Sequence, residues 1–118
     1  MLSDLQLARS AFYEQAREFM APYDLLLTPQ MPCVAWSWER APTEIDGQPV
    51  PNLLDRLPIT FPFNMTGWPA ASVPCGFNSE GLPVALQIVA GPRQDGLCLA
   101  AAAAFESIAP WAAVVPPL

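Results

Sequence analysis

The chain has 118 residues, of which 53% are hydrophobic and only 14% are charged, and its formal net charge is −6. Soluble domains usually carry about 25% charged residues, so the deficit predicts that part of the surface meets a partner, either a missing domain or another subunit. The basic residues are five scattered arginines, without lysine or histidine, which argues against nucleic-acid binding, anionic membrane attachment and nucleophile activation by histidine or lysine.

The length fits one domain or a piece of one, large enough to bury a hydrophobic core. The longest apolar run, residues 97–105, falls short of the ~18 residues that a membrane-spanning helix needs. Cys33, Cys75 and Cys98 are far apart and odd in number, which predicts buried thiols rather than a disulfide or a zinc site. We therefore expect no metal and no cofactor, and the absence of a secretory leader adds the expectation of a cytoplasmic location.

The first predicted element is an amphipathic helix from Ser3 to about Met20. Ser3 is placed to cap this helix, with Gln6 three residues later as the partner of a capping box, and Pro22 stops it. Apolar residues recur at helical spacing and predict one buried face, formed by Leu5, Ala8, Phe12, Ala16 and Phe19.

An apolar run at residues 24–28 follows the helix and is typical of a strand that is buried in a sheet with helices on both sides. From Pro29 to Pro58 the density of prolines excludes long regular elements, and residues 44–47 predict a turn. A loop of this length is uncommon inside a domain. It either covers a ligand site or lies where a neighbouring domain has been cut away.

The second half of the chain has clearer local signals. Residues 59–66 predict a short helix that Gly67 ends as a C-cap. Residues 71–73 and 84–89 predict two strands that pair as an antiparallel β-hairpin across a turn at residues 78–81. A final helix is predicted from about Asp95 to Pro110, with one buried face formed by Leu97, Ala101, Ala104 and Ile108.

No side chain is predicted to be catalytic. Ser72 has no histidine or lysine to activate it and lies outside any Gly-x-Ser-x-Gly elbow, so a structural place in a strand is favoured. Capping and solvation explain the carboxylates beside predicted turns and helix ends: Asp24, Asp55, Glu80, Asp95 and Glu106. Five aromatic residues line either an apolar pocket or, more commonly, a core: Trp36, Trp38, Phe61, Phe63 and Trp68.

Three blocks of sequence, in order, resemble the amidase signature family. Residues 23–29, Tyr-Asp-Leu-Leu-Leu-Thr-Pro, are similar to a family strand that ends in Thr-Pro. Residues 64–70, Asn-Met-Thr-Gly-Trp-Pro-Ala, resemble Asn-x-Thr-Gly-x-Pro-Ala. Residues 81–87, Gly-Leu-Pro-Val-Ala-Leu-Gln, resemble Gly-Leu-Pro-Val-Gly-Leu-Gln, with Ala85 where glycine is common. Residues 61–64 are more similar to general amidases than to the transamidating relatives that act on charged tRNA.

The resemblance implies an α/β/α layered fold with a mixed sheet, in which residues 1–118 form the C-terminal portion of an amidase domain and residues 29–58 its proline-rich loop. It also implies hydrolysis of amide bonds by a Ser–cis-Ser–Lys triad that lies upstream in the family, so no catalytic residue is carried over. The C-terminal part of such enzymes contributes sheet strands and a wall of the substrate pocket. We expect Trp36, Phe61 and Asn64 to approach the acyl pocket of the intact enzyme.

The first hypothesis is therefore an amidase fragment that is inactive alone, whose partners are the missing N-terminal part of the same enzyme and a small amide substrate. The second hypothesis is a stand-alone binding or scaffold module derived from an amidase. A self-sufficient Ser or Cys hydrolase would need an activating base that the chain lacks. The hydrophobic excess also predicts that the isolated chain self-associates.

Overall fold

The fold, taken from a computed structural model that describes residues 2–114, places a sheet between two long helices. The proline-rich segment also holds a 3₁₀ turn at Leu54–Arg56. In chain order the other elements are α1 (Leu2–Met20), β1 (Leu25–Pro29), β2 (Glu44–Ile45), β3 (Gln48–Pro49), α2 (Phe61–Thr66), β4 (Ala70–Phe77), β5 (Pro83–Ala90) and α3 (Asp95–Ile108).

The main sheet has the strand order β1-β5-β4, with β5 at its centre. Strand β5 pairs antiparallel with both neighbours, which confirms the predicted hairpin between β4 and β5. Asn78 organises the hairpin turn, because its Oδ1 accepts hydrogen bonds from the backbone N–H groups of Glu80 at 3.0 Å and Leu82 at 2.8 Å. The resemblance implies a mixed sheet for the whole domain, whereas the strands described in this chain pair only antiparallel.

The alternation of side chains along β5 separates two hydrophobic clusters. Ile88 and Ala90 face α3 and pack with its Cys98. Val89 points to the opposite face, where it packs with Met20 of α1 and with Trp68. The sheet therefore lies between α1 and α3, as the predicted α/β/α layering requires.

Helix α1 uses a different face from the one predicted. Leu5 and Phe19 are 66% and 58% exposed, whereas Tyr13, Ala16 and Met20 pack against the sheet. Apolar residues occur on several sides of this helix, so more than one stripe has helical spacing, and the position of the sheet selects one of them. The helix also begins at Leu2, so Ser3 lies inside it and the predicted cap is wrong.

Helix α3 begins at Asp95 as predicted, but its predicted face is wrong as well. Ile108 is 81% exposed, and the residues that meet the sheet are Cys98, Ala101, Ala102 and Phe105. The run of alanines gives this helix apolar character all round, which removes the contrast on which a periodicity argument depends. The aromatic ring of Phe105 and the buried thiol mark the true inner face.

The cysteines differ in environment. Cys98 is buried, its thiol donates to the carbonyl of Ile88 at 3.4 Å, and burial raises the pKa of this thiol. Cys75 is exposed and Cys33 is half-buried, so the expectation of buried thiols is correct only for Cys98. None of the three forms a disulfide.

The proline-rich segment contains little regular structure, as predicted. Its one hairpin joins β2 to β3 through Asp46 and Gly47, which both have left-handed backbones with φ of 48° and 73°. Two such residues are what a tight two-residue hairpin turn requires. The guanidinium of Arg56 ties the segment together by donating to the carbonyl of Pro42 at 2.9 Å.

No helix within residues 2–114 combines the length and the apolar character that crossing a membrane requires.

Gly67 ends α2 in the left-handed conformation, with φ of 69° and ψ of 24°, and its N–H bonds to the carbonyl of Phe63 at 2.9 Å. A side chain at this φ is strained even though no atom lies within 4 Å of an added Cβ. We expect Gly67→Ala to lower the free energy of unfolding by about 1 kcal/mol, measured by urea denaturation.

Gly96 in α3 provides the matched control, because an added Cβ there also meets open space but the backbone is not left-handed. Gly96→Ala should leave the free energy of unfolding unchanged or raise it by up to about 1 kcal/mol. Equal unfolding midpoints for Gly67→Ala and the unsubstituted chain would contradict the left-handed cap.

Candidate functional site

An apolar groove lies beside the end of β1. It encloses about 570 Å³ between residues 29–36, which leave β1, and the first residues of β5. Its lining includes Met31, Val34, Trp36 and Val84. The groove can therefore accept an aromatic or aliphatic group.

A polar cleft lies on the face of the sheet that carries α1 and α2. It encloses about 260 Å³ and is lined by neutral polar side chains, with Phe63 and Trp68 as its aromatic members. The polar side chains in its lining are Gln30, Thr60, Asn64, Ser72 and Gln87. Neutral donors and acceptors without a charge suit an uncharged polar group such as a carboxamide.

Gln30 lines both the apolar groove and the polar cleft, so the two meet at this side chain. Its Nε2 donates to Thr60 Oγ1 at 3.3 Å, and the Thr60 hydroxyl donates to the Gln30 carbonyl oxygen at 3.3 Å. The backbone N–H of Gln30 is held by the carbonyl of Ala85 in β5 at 3.0 Å. The junction between groove and cleft is thus a reciprocal side-chain pair fixed to the sheet.

A polar row crosses the sheet below this junction. Thr28 of β1 and Ser72 of β4 are both register partners of Gln87 in β5, so the three side chains share one face. Gln87 is 2% exposed, and its Nε2 donates to Thr28 Oγ1 at 3.0 Å and to the carbonyl of Ile59 at 3.2 Å. A buried amide in a sheet is tolerated only when it is bonded in this way.

The predicted site residues do not meet in one cavity. Trp36 lines the apolar groove and is 37% exposed, and Asn64 lines the polar cleft. Phe61, the first residue of α2, is half-buried and lines neither of them. Of the other aromatic candidates, Trp68 belongs to the core and Trp38 is 91% exposed.

Trp68 fills the space between α1 and the sheet. It is 5% exposed and makes an edge-on contact with Tyr13, with the ring centroids 5.9 Å apart. Its indole Nε1 is buried and has no acceptor among the residues that the structure describes. An unbonded buried N–H costs stability, so packing area is what holds this ring in place.

Sequence reasoning missed the residues that organise the junction, namely Gln30, Thr60 and Gln87. One signal was available, because Gln87 is the only polar residue in the apolar run from Val84 to Ala90. A polar residue at such a position has a partner or a function. The partners lie 59 and 28 positions away, at Thr28 and Ile59, and local pattern does not reach that far.

The lining of groove and cleft supports binding and offers no means of activating a nucleophile. Among the described residues that line them, Cys33 is the only titratable side chain. Ser72 stands in β4 with no histidine or lysine anywhere in the sequence. General-base activation of a hydroxyl needs such a group within hydrogen-bond reach.

Comparison with known proteins places this architecture. A model of the family described as Amidase matches residues 1–99. The acylamidase of Rhodococcus erythropolis is 40% identical over 106 residues, which are 88% of this chain and 22% of that protein. The 6-aminohexanoate-cyclic-dimer hydrolase of Paenarthrobacter ureafaciens is 36% identical over 109 residues, covering 86% of this chain and 22% of that enzyme. A glutamyl-tRNA(Gln) amidotransferase of Moorella thermoacetica contains a polypeptide that is 48% identical over 85 residues, covering 71% of this chain and 16% of that polypeptide.

Among solved structures, a bacterial aryl acylamidase of the amidase signature enzymes aligns with a TM-score of 0.80 and 32% identity, over 92% of this chain and 23% of that one. The chain thus spans less than a quarter of the length of these relatives. The family match extends over most of the 118 residues, and the fold agrees with it. The chain therefore belongs to the amidase family, that of the amidase signature enzymes.

Proposed function

We infer that residues 1–118 form the C-terminal portion of an amidase that hydrolyses carboxylic amide bonds by serine-based acyl transfer. In such a reaction the serine oxygen takes the acyl group, the amine leaves, and water then releases the carboxylic acid. The catalytic serines and lysine belong to the rest of the enzyme. The observation that carries this proposal is the pair of clefts that meet at Gln30, because they form a binding wall without catalytic groups.

The substrate class that we propose is a small or aryl amide. The apolar groove suits an aryl or alkyl group, and the uncharged lining of the polar cleft suits the amide function. The similarity to an acylamidase and to an aryl acylamidase supports this class. The sequence at residues 61–64 favours it over the tRNA-dependent reaction that the name of the amidotransferase relative indicates.

The partner that we propose is the N-terminal part of the same enzyme. Helix α1 presents apolar side chains outward, with Leu2, Leu5 and Leu7 each more than 60% exposed. Exposed apolar patches of this kind mark interaction surfaces. The unpaired cysteines are consistent with a cytoplasmic location, and recovery with periplasmic or extracellular markers on cell fractionation would contradict it.

A fusion enzyme tests the proposed function. Residues 1–118 would replace the matching stretch of the Rhodococcus erythropolis acylamidase. We expect the fusion to hydrolyse an aryl amide and the purified chain alone to show no turnover, because the chain lacks an activating base. Turnover by the chain alone, or a folded fusion with no activity towards any amide, would overturn the proposal.

Alanine substitutions in the fusion test the site residues. Trp36→Ala, Phe61→Ala and Asn64→Ala should each change the relative kcat/KM among amides, by about three- to tenfold where a contact with the acyl group is lost. Trp38→Ala is the control, because that side chain is 91% exposed and lines neither cleft. Unchanged kinetics across a panel of amides for all three variants would remove these residues from the site.

The exposed apolar face of α1 predicts that the isolated chain self-associates. Light scattering should give a mass above that of the 12.8 kDa monomer, and the excess should fall when Leu5 and Phe19 are both replaced by glutamate. A clean monomer at high protein concentration would contradict this expectation.

A further inference from the structure

Gln87 is the one polar residue in the most buried part of the sheet. It is 2% exposed, and the following residues Ile88, Val89 and Ala90 are at most 2% exposed. The carbonyl of Ile59 can only accept, so the side-chain nitrogen must be the atom that points to it. The amide of Gln87 is therefore held in one orientation, by one bond to Thr28 and one to Ile59.

These two bonds reach the segments that carry the junction between groove and cleft. Thr28 lies two residues before Gln30, and Ile59 lies immediately before Thr60. Gln30 and Thr60 in turn bond each other in both directions at 3.3 Å. A single buried side chain thus ties together both halves of the pair that separates the apolar groove from the polar cleft.

The loss of Gln87 would free both segments at once. Without its amide, the Ile59 carbonyl and the Thr28 hydroxyl lose a shared donor in a place with little access to water, and each would turn to find another. A shift of either segment changes the distance between Gln30 and Thr60. The geometry at the junction then changes, although the lining residues themselves stay the same.

We propose that Gln87 is a positioning residue that sets the Gln30–Thr60 pair at the junction of the two clefts and so sets the preference of the enzyme among amides that differ in the size of the acyl group. This proposal rests on the proposed function. It assigns the selectivity to a residue that acts through another pair rather than by contact with the acyl group.

The test compares Gln87→Met with Ile88→Val in the fusion enzyme. Methionine keeps the length of the side chain and removes the amide, whereas Ile88→Val trims the neighbouring residue, which faces α3 instead of the cleft. The measured quantity is the ratio of kcat/KM for two amides with the same amine and a short or a long acyl group. We expect Gln87→Met to change this ratio by about three- to tenfold, mainly through KM, and Ile88→Val to leave it unchanged.

A double substitution separates positioning from direct contact. If Gln87 acts through the pair, Gln87→Met should change the ratio by less than about twofold in a Thr60→Val background. A full effect in that background would mean that Gln87 contacts the substrate itself and would overturn the proposal. An equal loss for both amides, matching that of Ile88→Val, would mean a general structural role and would overturn it as well.

Hydrogen exchange in the 118-residue chain provides a measurement that does not depend on activity. The N–H of Gln30 bonds to the carbonyl of Ala85, and the N–H of Thr60 bonds to the carbonyl of Leu57. Gln87→Met should speed exchange at both groups severalfold relative to Ile88→Val. Unchanged exchange at both would overturn the proposal even with an active fusion, whereas an inactive unsubstituted fusion with faster exchange would overturn the proposed function alone.

Discussion

The burial of strand β5 on both faces and along both edges is the constraint on which the rest of the structure depends. Its edges pair with β1 and β4, and its two faces are covered by α1 and α3. Four successive residues, 87–90, are almost completely shielded from solvent. Each helix is thereby anchored through a different set of alternating side chains of the same strand, and the layer order follows from that alternation.

The same constraint explains why a polar group in this strand has consequences at a distance. An amide buried there must find its acceptors among the segments that pack on the sheet, since water is excluded. The acceptors belong to the end of β1 and to the turn before α2, and these two segments form the rim of the clefts. The demand for hydrogen-bond satisfaction in the core and the shape of the binding wall are one set of contacts.

Local chemistry made part of this fold predictable. The left-handed Gly67, the Asn78 turn and the β4–β5 hairpin depend on residues within a few positions of each other, and each was predicted from the sequence. The inner faces of α1 and α3 were not, because both helices carry apolar residues on several sides and only the packed sheet distinguishes them. Trp36 and Asn64 were found as lining residues, whereas the Gln30–Thr60 pair joins positions 30 residues apart and leaves no local trace.

The two outer strands of the sheet are chemically unequal. Strand β4 carries Pro74, which has no N–H to donate, and its register with β5 is shifted between Pro74 and Gly76. Strand β1 runs from Leu25 to Thr28 with a regular register and meets a proline only at its last residue. A proline and an irregular register both interrupt further pairing, so the sheet has a direction of growth: another strand adds along β1 over its whole length, and along β4 only over its first few residues.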